Sequence, residues 1–196
     1  MQTDALKLIV GLGNPGPQYQ NNRHNAGAWL LSRLAEDYNG QMRPEAKFFG
    51  ITGRITIDGH DVRLLFPTTF MNRSGQSVSA LCKYFDIEPQ QMLVAYDEID
   101  FDVGTTRFKF GGGHGGHNGI RDIISALGNN RDFHRLRIGV GHPGNKAAVA
   151  NYVLSDPSKQ ENDIIMGDID MAIRTLPLAV KGEWENAMHK LHTKPA

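Results

Sequence analysis

The chain has one cysteine, no net charge and no long apolar run, and each lack removes a class of protein. A lone cysteine, Cys82, excludes a disulfide framework and fits a reducing compartment. No apolar stretch approaches the roughly 18 residues that a membrane helix needs. The first residues lack the basic, apolar and small-residue order of a secretory signal. The expectation is a soluble cytoplasmic protein. There is no internal repeat, no linker and no low-complexity segment, so the 196 residues read as one domain, 1–196. A chain of this length can bury roughly 70% of its unfolded surface.

Zero net charge argues against a polyanionic partner until the charges are located. Residues 86–102 hold Asp86, Glu88, Asp97, Glu98, Asp100 and Asp102 with no Lys or Arg. Residues 103–150 hold seven basic side chains, Arg107, Lys109, Arg121, Arg131, Arg135, Arg137 and Lys146, against Asp122 and Asp132. A basic segment beside an acidic one can form a polyanion patch on a neutral protein. The count alone leaves that reading level with ordinary solvated charge.

What is present is organised around Lys7–Gly27, KLIVGLGNPGPQYQNNRHNAG. Residues 7–10 are strand formers, Gly11, Gly13 and Gly16 make a turn, and a polar tract precedes a helical pattern starting at Ala26. An open α/β sheet builds a site this way at the carboxyl end of its first strand. Gly11–Gly16 also matches G-x-G-x-x-G, with Glu36 or Asp37 about 20 residues on. A dinucleotide site needs a helix N-terminus directly after the glycines. Pro15 and Pro17 remove two N–H groups there, and the helix waits until Ala26, which argues against nucleotide.

Ala26–Tyr38 places Trp29, Leu30, Leu34 and Tyr38 on one helical face. Residues 48–57 and 60–66 alternate as strands around Asp58-Gly59, a hairpin signal. Pro67 ends the second, a loop follows, and Ser74–Phe85 reads as a helix burying Val78, Leu81, Cys82 and Phe85. Met92–Tyr96 is a short apolar run of the kind found in strands covered on both faces. Strands at 105–110 and 134–140 flank the loop GGGHGGHNG and a helix at 120–127. A helical region follows Pro157, with Asp156 as its cap. Pro177 should kink or split that region, and Lys190–Ala196 should fray. The expected fold is a single α/β three-layer sandwich, a mixed, mostly parallel twisted sheet with helices on both faces. Loops 11–25, 67–75 and 97–119 should meet at one edge.

Those loops bring His24, Asp97, Asn14, Asn72 and Asn118, with no obvious nucleophile: Cys82 is mid-helix, Ser74 suits a helix start, and no G-x-S-x-G occurs. A His beside an Asp can activate water directly, and neutral amides can steady a developing oxyanion. That chemistry fits hydrolysis of a reactive acyl bond such as an ester. Each group also has a structural reading: His24 as a loop residue, Asp97 as a turn cap, Asn14 as a tolerant turn residue. His114 and His117 invite a metal, but no third ligand stands at useful spacing. Glycine there simply permits close backbone approach. Phe70-Met71 reads either as a core plug or as an apolar wall.

LIVGLGNPG with Tyr19 and RHNAG, PTTFMNRSG, YDEID with GTTRFKF, GGGHGGHNG, and FHRLRIGVGHPG together resemble the bacterial-type peptidyl-tRNA hydrolases in order and spacing over residues 8–144. The C-terminal region resembles that family only in length and character. The resemblance implies hydrolysis of the ester between a peptide and the terminal ribose of tRNA, recycling tRNA from stalled ribosomes, without cofactor, metal or covalent intermediate. It implies a monomer that engages the acceptor end of peptidyl-tRNA and no membrane. On that resemblance His24 is the general base, Asp97 its supporting carboxylate and Asn14 the residue that recognises an acylated amino group. Tyr19, Phe70, Met71, Asn72 and Asn118 line the substrate cleft, and Arg107, Lys109 and Arg137 hold tRNA phosphates. Asn22 departs from the Thr common before Arg-His-Asn, a change expected to touch loop packing rather than chemistry. A dinucleotide enzyme and a non-catalytic RNA-binding relative of the same fold are the alternatives. His24, Asp97 and Asn14 weigh against the second, since binding phosphate requires none of them.

Overall fold

The computed structural model describes residues 5–193. Seven strands form one sheet: β1 (Leu8–Gly11), β2 (Arg43–Glu45), β3 (Gly50–Ile57), β4 (His60–Pro67), β5 (Met92–Glu98), β6 (Thr106–Phe110) and β7 (His134–Gly139). Their order is β2-β3-β4-β1-β5-β7-β6. The inner four, β4, β1, β5 and β7, run parallel, while β3 and β2 at one edge and β6 at the other are antiparallel to their neighbours.

Helices cover both faces, as expected. Along β1, Ile9 belongs to the core under α1 (Ala26–Asp37), α5 (Lys159–Val180) and α6 (Trp184–His192). Leu8 and Val10 belong to the core under α2 (Ser74–Phe85) and α3 (Asn118–Ala126). The same alternation splits Leu93 and Ala95 from Met92, Val94 and Tyr96 on β5, the period-two side-chain direction of a strand buried on both faces. A short helix, α4 (Val149–Val153), lies on the connection between β7 and α5. The β3–β4 hairpin turns at Asp58 (φ 47°) and Gly59 (φ 82°), the left-handed pair that a two-residue turn requires.

Several local expectations are corrected. Pro177 lies inside α5, which runs unbroken for 22 residues. Leu176, Ala179 and Val180 are fully buried around it, so packing holds the last turn despite the missing N–H. Ser158, not Asp156, caps α5: its hydroxyl accepts from Glu161 N at 3.1 Å while Glu161 Oε1 accepts from Ser158 N at 2.9 Å, a reciprocal capping box. Lys190–His192 are helical, Leu191 is fully buried and His192 Nε2 accepts from Phe108 N at 3.0 Å. The expected fraying there does not occur, and residues 194–196 lie outside the described chain. The 3-10 turn Ala46–Phe48 shortens the expected strand at 48–57, and β2 and α4 carried too little pattern to be foreseen.

Candidate functional site

Gly11 and Gly27 set the site. A Cβ on Gly11 would stand 2.4 Å from the Gly27 carbonyl oxygen, and one on Gly27 would stand 2.1 Å from that of Ala95. Two glycines therefore let the end of β1, the start of α1 and β5 touch backbone to backbone. Leu12 N donates to Ala95 O at 3.1 Å, and Ala28 N donates to Leu12 O at 3.1 Å. This junction explains the glycines without any phosphate. Helix α1 begins only at Ala26, far past Gly16.

The triplet Arg23-His24-Asn25 forms a 3-10 turn ahead of α1, with Arg23 and Asn25 buried. Asn25 clamps Asn14: its Oδ1 accepts from Asn14 N at 2.9 Å and its Nδ2 donates to Asn14 O at 3.0 Å. Asn14 Oδ1 in turn accepts from Met71 N at 2.8 Å. That bond fixes the amide orientation, and Nδ2 makes no hydrogen bond among the described residues, leaving an unengaged donor. Arg23 ties the turn to the segment after β7. Its guanidinium donates to Tyr152 O, Ser155 O and Ser155 Oγ, the last at 2.6 Å, and lies 4.0 Å over the Tyr152 ring. Arg23 N donates to Ser155 O at 3.1 Å, and Asn22 Nδ2 donates to Asp156 Oδ1 at 2.8 Å. Asn22, the departure, thus bonds the loop to the segment ahead of α5.

Between these anchors His24 meets Asp97, which stands near the end of β5. His24 Nδ1 is 2.9 Å from Asp97 Oδ2 and 3.0 Å from Oδ1, with side-chain exposures of 12% and 1%. His117 Nε2 stands 2.8 Å from Asp97 Oδ1, while its Nδ1 accepts from Ile120 N at 3.3 Å as the cap of α3. Because His117 Nδ1 accepts, its Nε2–H donates to Asp97. A carboxylate receiving N–H groups from both rings orients His24 with its proton on Nδ1 and leaves Nε2 without a partner among the described residues. Burial lowers the His24 pKa, but the Asp97 charge and hydrogen bond outweigh it, and the value is raised above 6.5. Burial pushes Asp97 upward, yet the two histidines holding it prevail and its pKa falls well below the usual carboxylate range.

His24, Asp97 and His117 also place three metal-type donor atoms within 4.8 Å of one another. A metal on His117 Nε2 would move the ring proton to Nδ1, against the Ile120 N–H that points at it. The cluster is built as a hydrogen-bond network. Sequence reading left His117 in a glycine-rich loop; only the fold brings it to Asp97, and a His three residues before Ile120 at a helix start was the available signal.

The remaining candidates divide. Tyr19 and Phe70 meet edge to face at 6.4 Å, and Phe70 is 59% exposed, so it is not a core side chain. Met71 is the core plug, buried among the α2–α3 side residues, and reaches Asn14 through its backbone. Asn72 and Asn118 are exposed, Asn118 as the first residue of α3 with its Oδ1 accepting from Arg121 Nη1 at 3.2 Å. Arg107 lies directly opposite Arg137, and Lys109 opposite Arg135, on β6 and β7. These positions alternate with Phe108 and Leu136, which face the α1–α5 core. The four cations therefore share one sheet face, a ribbon that cross-strand repulsion disfavours. Glu98 pairs with Arg137 at 3.6 Å. Arg135, almost fully buried, donates to the carbonyls of Gly112 and Gly113 and pins the glycine-rich loop, a role the sequence did not disclose.

A buried carboxylate holding two rings at the carboxyl edge of a doubly covered parallel sheet defines an α/β enzyme site. Comparison with known proteins narrows the class. The family model described as peptidyl-tRNA hydrolase matches residues 8–196. The peptidyl-tRNA hydrolase of Tolumonas auensis is 56% identical over 97% of each chain, and that of Vibrio parahaemolyticus 52% identical over the same share. The crystal structure of peptidyl-tRNA hydrolase from Acinetobacter baumannii superposes with a TM-score of 0.95 at 48% identity, covering 100% of this chain and 98% of that one. The chain belongs to the peptidyl-tRNA hydrolase family.

Proposed function

We propose that the protein hydrolyses the ester between a peptide's carboxyl end and the 3′-terminal ribose of tRNA, with water as the direct nucleophile. The observation that carries this reading is the Nε2 of His24, without a partner among the described residues, behind a Nδ1–Asp97 bond of 2.9 Å. Nε2 takes a proton from water as its oxygen attacks the ester carbonyl. The exposed amides of Asn72 and Asn118 are the proposed donors for the tetrahedral oxyanion. Collapse breaks the bond to the ribose oxygen, which receives the proton from His24, and the peptide leaves as a carboxylic acid. Asp97 keeps the ring oriented and stabilises its charged form.

Direct water attack is supported by the state of the side chains that could serve otherwise. Burial pushes the Cys82 thiol up to about 12, and it packs in the α2 core. Ser74 is fully buried with its hydroxyl donating to Met71 O at 2.8 Å. Nδ2 of Asn14 is the donor proposed for the acyl carbonyl on the substrate's amino group, the feature separating peptidyl- from aminoacyl-tRNA. Arg107 and Lys109, with Arg137 beside Glu98, are the proposed phosphate contacts. The test is rapid-quench hydrolysis of N-acetyl-aminoacyl-tRNA: free tRNA and acid should appear together. A burst of tRNA ahead of the acid would mean an acyl-enzyme and would refute the mechanism.

A further inference from the structure

Strand β6 is five residues long and lies at one edge of the sheet, where β7 is its single neighbour among the described residues. Two of its residues, Arg107 and Lys109, stand directly opposite Arg137 and Arg135. Like charges facing each other across a ladder push the strands apart. Of these four cations only Arg137 has an ion-pair partner among the described residues, Glu98 at 3.6 Å. The strand that carries two proposed phosphate contacts is therefore short, exposed along one edge and repelled by its own partner.

Helix α6 grips that strand at two points. Near its start, Trp184 stacks on His134 of β7, with ring centroids 3.8 Å apart and planes 9° from parallel. The same ring meets Phe108 of β6 edge to face at 5.5 Å. Phe110, also on β6, closes on His134 at 4.7 Å. One indole, 8% exposed, thus ties both strands together. At the other end of α6, His192 Nε2 accepts from Phe108 N at 3.0 Å. That N–H points off the edge, away from β7, as alternate N–H groups of an edge strand do. Phe108 lies between the two cations, so the bond holds the backbone from which both project. Accepting at Nε2 requires a neutral ring. Burial, with the charges of Arg107 and Arg137, holds the His192 pKa below its ordinary 6.5. Resting on the proposed phosphate contacts, we infer that His192 and Trp184 are positioning residues for tRNA, bracing β6 so that Arg107 and Lys109 meet the substrate's phosphates without touching the RNA themselves.

The test measures kcat and KM for N-acetyl-aminoacyl-tRNA. His192→Phe keeps a ring but offers Phe108 N no acceptor. It should raise KM by roughly 3–10-fold, the scale of one lost neutral hydrogen bond, with kcat unchanged. His192→Gln, whose amide oxygen can replace Nε2, should restore the parent's KM. Trp184→Phe, which gives up part of the stack, should raise KM in the same way if His192→Phe does not fold. A double-mutant cycle separates bracing from general stabilisation. In a protein already carrying Arg107→Ala and Lys109→Ala, His192→Phe should raise KM no further. KM increases that multiply, an unmoved KM in a folded His192→Phe or Trp184→Phe protein, or a glutamine variant no better than the phenylalanine one would overturn the brace. An unchanged KM in the Arg107→Ala and Lys109→Ala protein would remove the phosphate contacts and this inference with them, while leaving ester hydrolysis standing.

Discussion

Replacing Asp97 with asparagine should separate the two things the carboxylate does. Asp97 accepts two N–H groups: Oδ2 faces His24 alone, while Oδ1 faces both His24 and His117. An amide offers one acceptor and one donor in their place. With its oxygen at Oδ1, its NH2 points at the His24 Nδ1 proton, and the ring relieves the clash by moving that proton to Nε2, which abolishes the base. With its oxygen at Oδ2, the NH2 meets the His117 Nε2 proton, and His117 must invert its tautomer against the Ile120 N–H. Either outcome removes the charge that stabilises protonated His24. A positioned base contributes about 10²–10⁴-fold, so kcat should fall by that order, about 3–5 kcal/mol of barrier, with KM little changed. The pH profile adds an independent sign. On the proposed mechanism His24 acts unprotonated, and its raised pKa predicts an acidic limb of kcat/KM above the ordinary histidine range in the parent. Without the Asp97 charge, burial dominates and lowers the His24 pKa, so the residual activity of Asp97→Asn should keep its plateau to a lower pH than the parent. The assay is kcat/KM for N-acetyl-aminoacyl-tRNA from pH 5 to 9. A kcat within about threefold of the parent, or a limb that moves to higher pH, would refute the reasoning.

Asn14→Ala should lower both stability and selectivity. The stranded Met71 N–H costs about 1–3 kcal/mol, visible in the melting curve, and the preference for N-acylated over free aminoacyl-tRNA should shrink; an unchanged ratio assigns Asn14 to the turn alone. Arg107→Ala with Lys109→Ala should flatten the salt dependence of tRNA binding, by about 0.7–0.9 in log–log slope for each phosphate that is no longer neutralised. Adding Arg137→Ala should do less, because Glu98 already pairs with that side chain. Arg23→Ala should destabilise by about 1–3 kcal/mol by removing hydrogen bonds to Tyr152 and Ser155 and lower kcat more than it raises KM. Equal tRNA affinity and equal kcat in a folded Arg23→Ala protein would show that the turn holds His24 without that anchor.

Much of this was legible because buried parallel strands write themselves plainly. Leu8–Val10 and Met92–Tyr96 carry continuous apolar runs, and Asp58-Gly59 specifies its turn. The meeting of His24 with Asp97 was readable because polar groups in loops that leave such strands point to one edge. What escaped depends on contacts distant in sequence. His117 is tied to Asp97 across 20 residues, and neither its glycine-rich surroundings nor its spacing from His114 shows that link. Arg135 looks like any strand arginine until two loop carbonyls claim it. Arg23 reads as one more polar group of its tract but is buried under a segment 129–138 residues away. Pro177 misled for the complementary reason: a local rule yielded to tertiary packing at the end of a long helix. Phe70 and Met71, adjacent in sequence, divide between surface and core because a 3-10 turn starting at Met71 rotates one outward and the other inward.

The most direct test of the account is single-turnover release of a labelled N-acetyl amino acid from its tRNA ester by the purified protein and by His24→Ala. The parent should release it, and the variant, folded with the parent's melting curve, should be slower by roughly 10²–10⁴-fold. Release by His24→Ala at the parent's rate would contradict the assignment of His24 as the base that activates water.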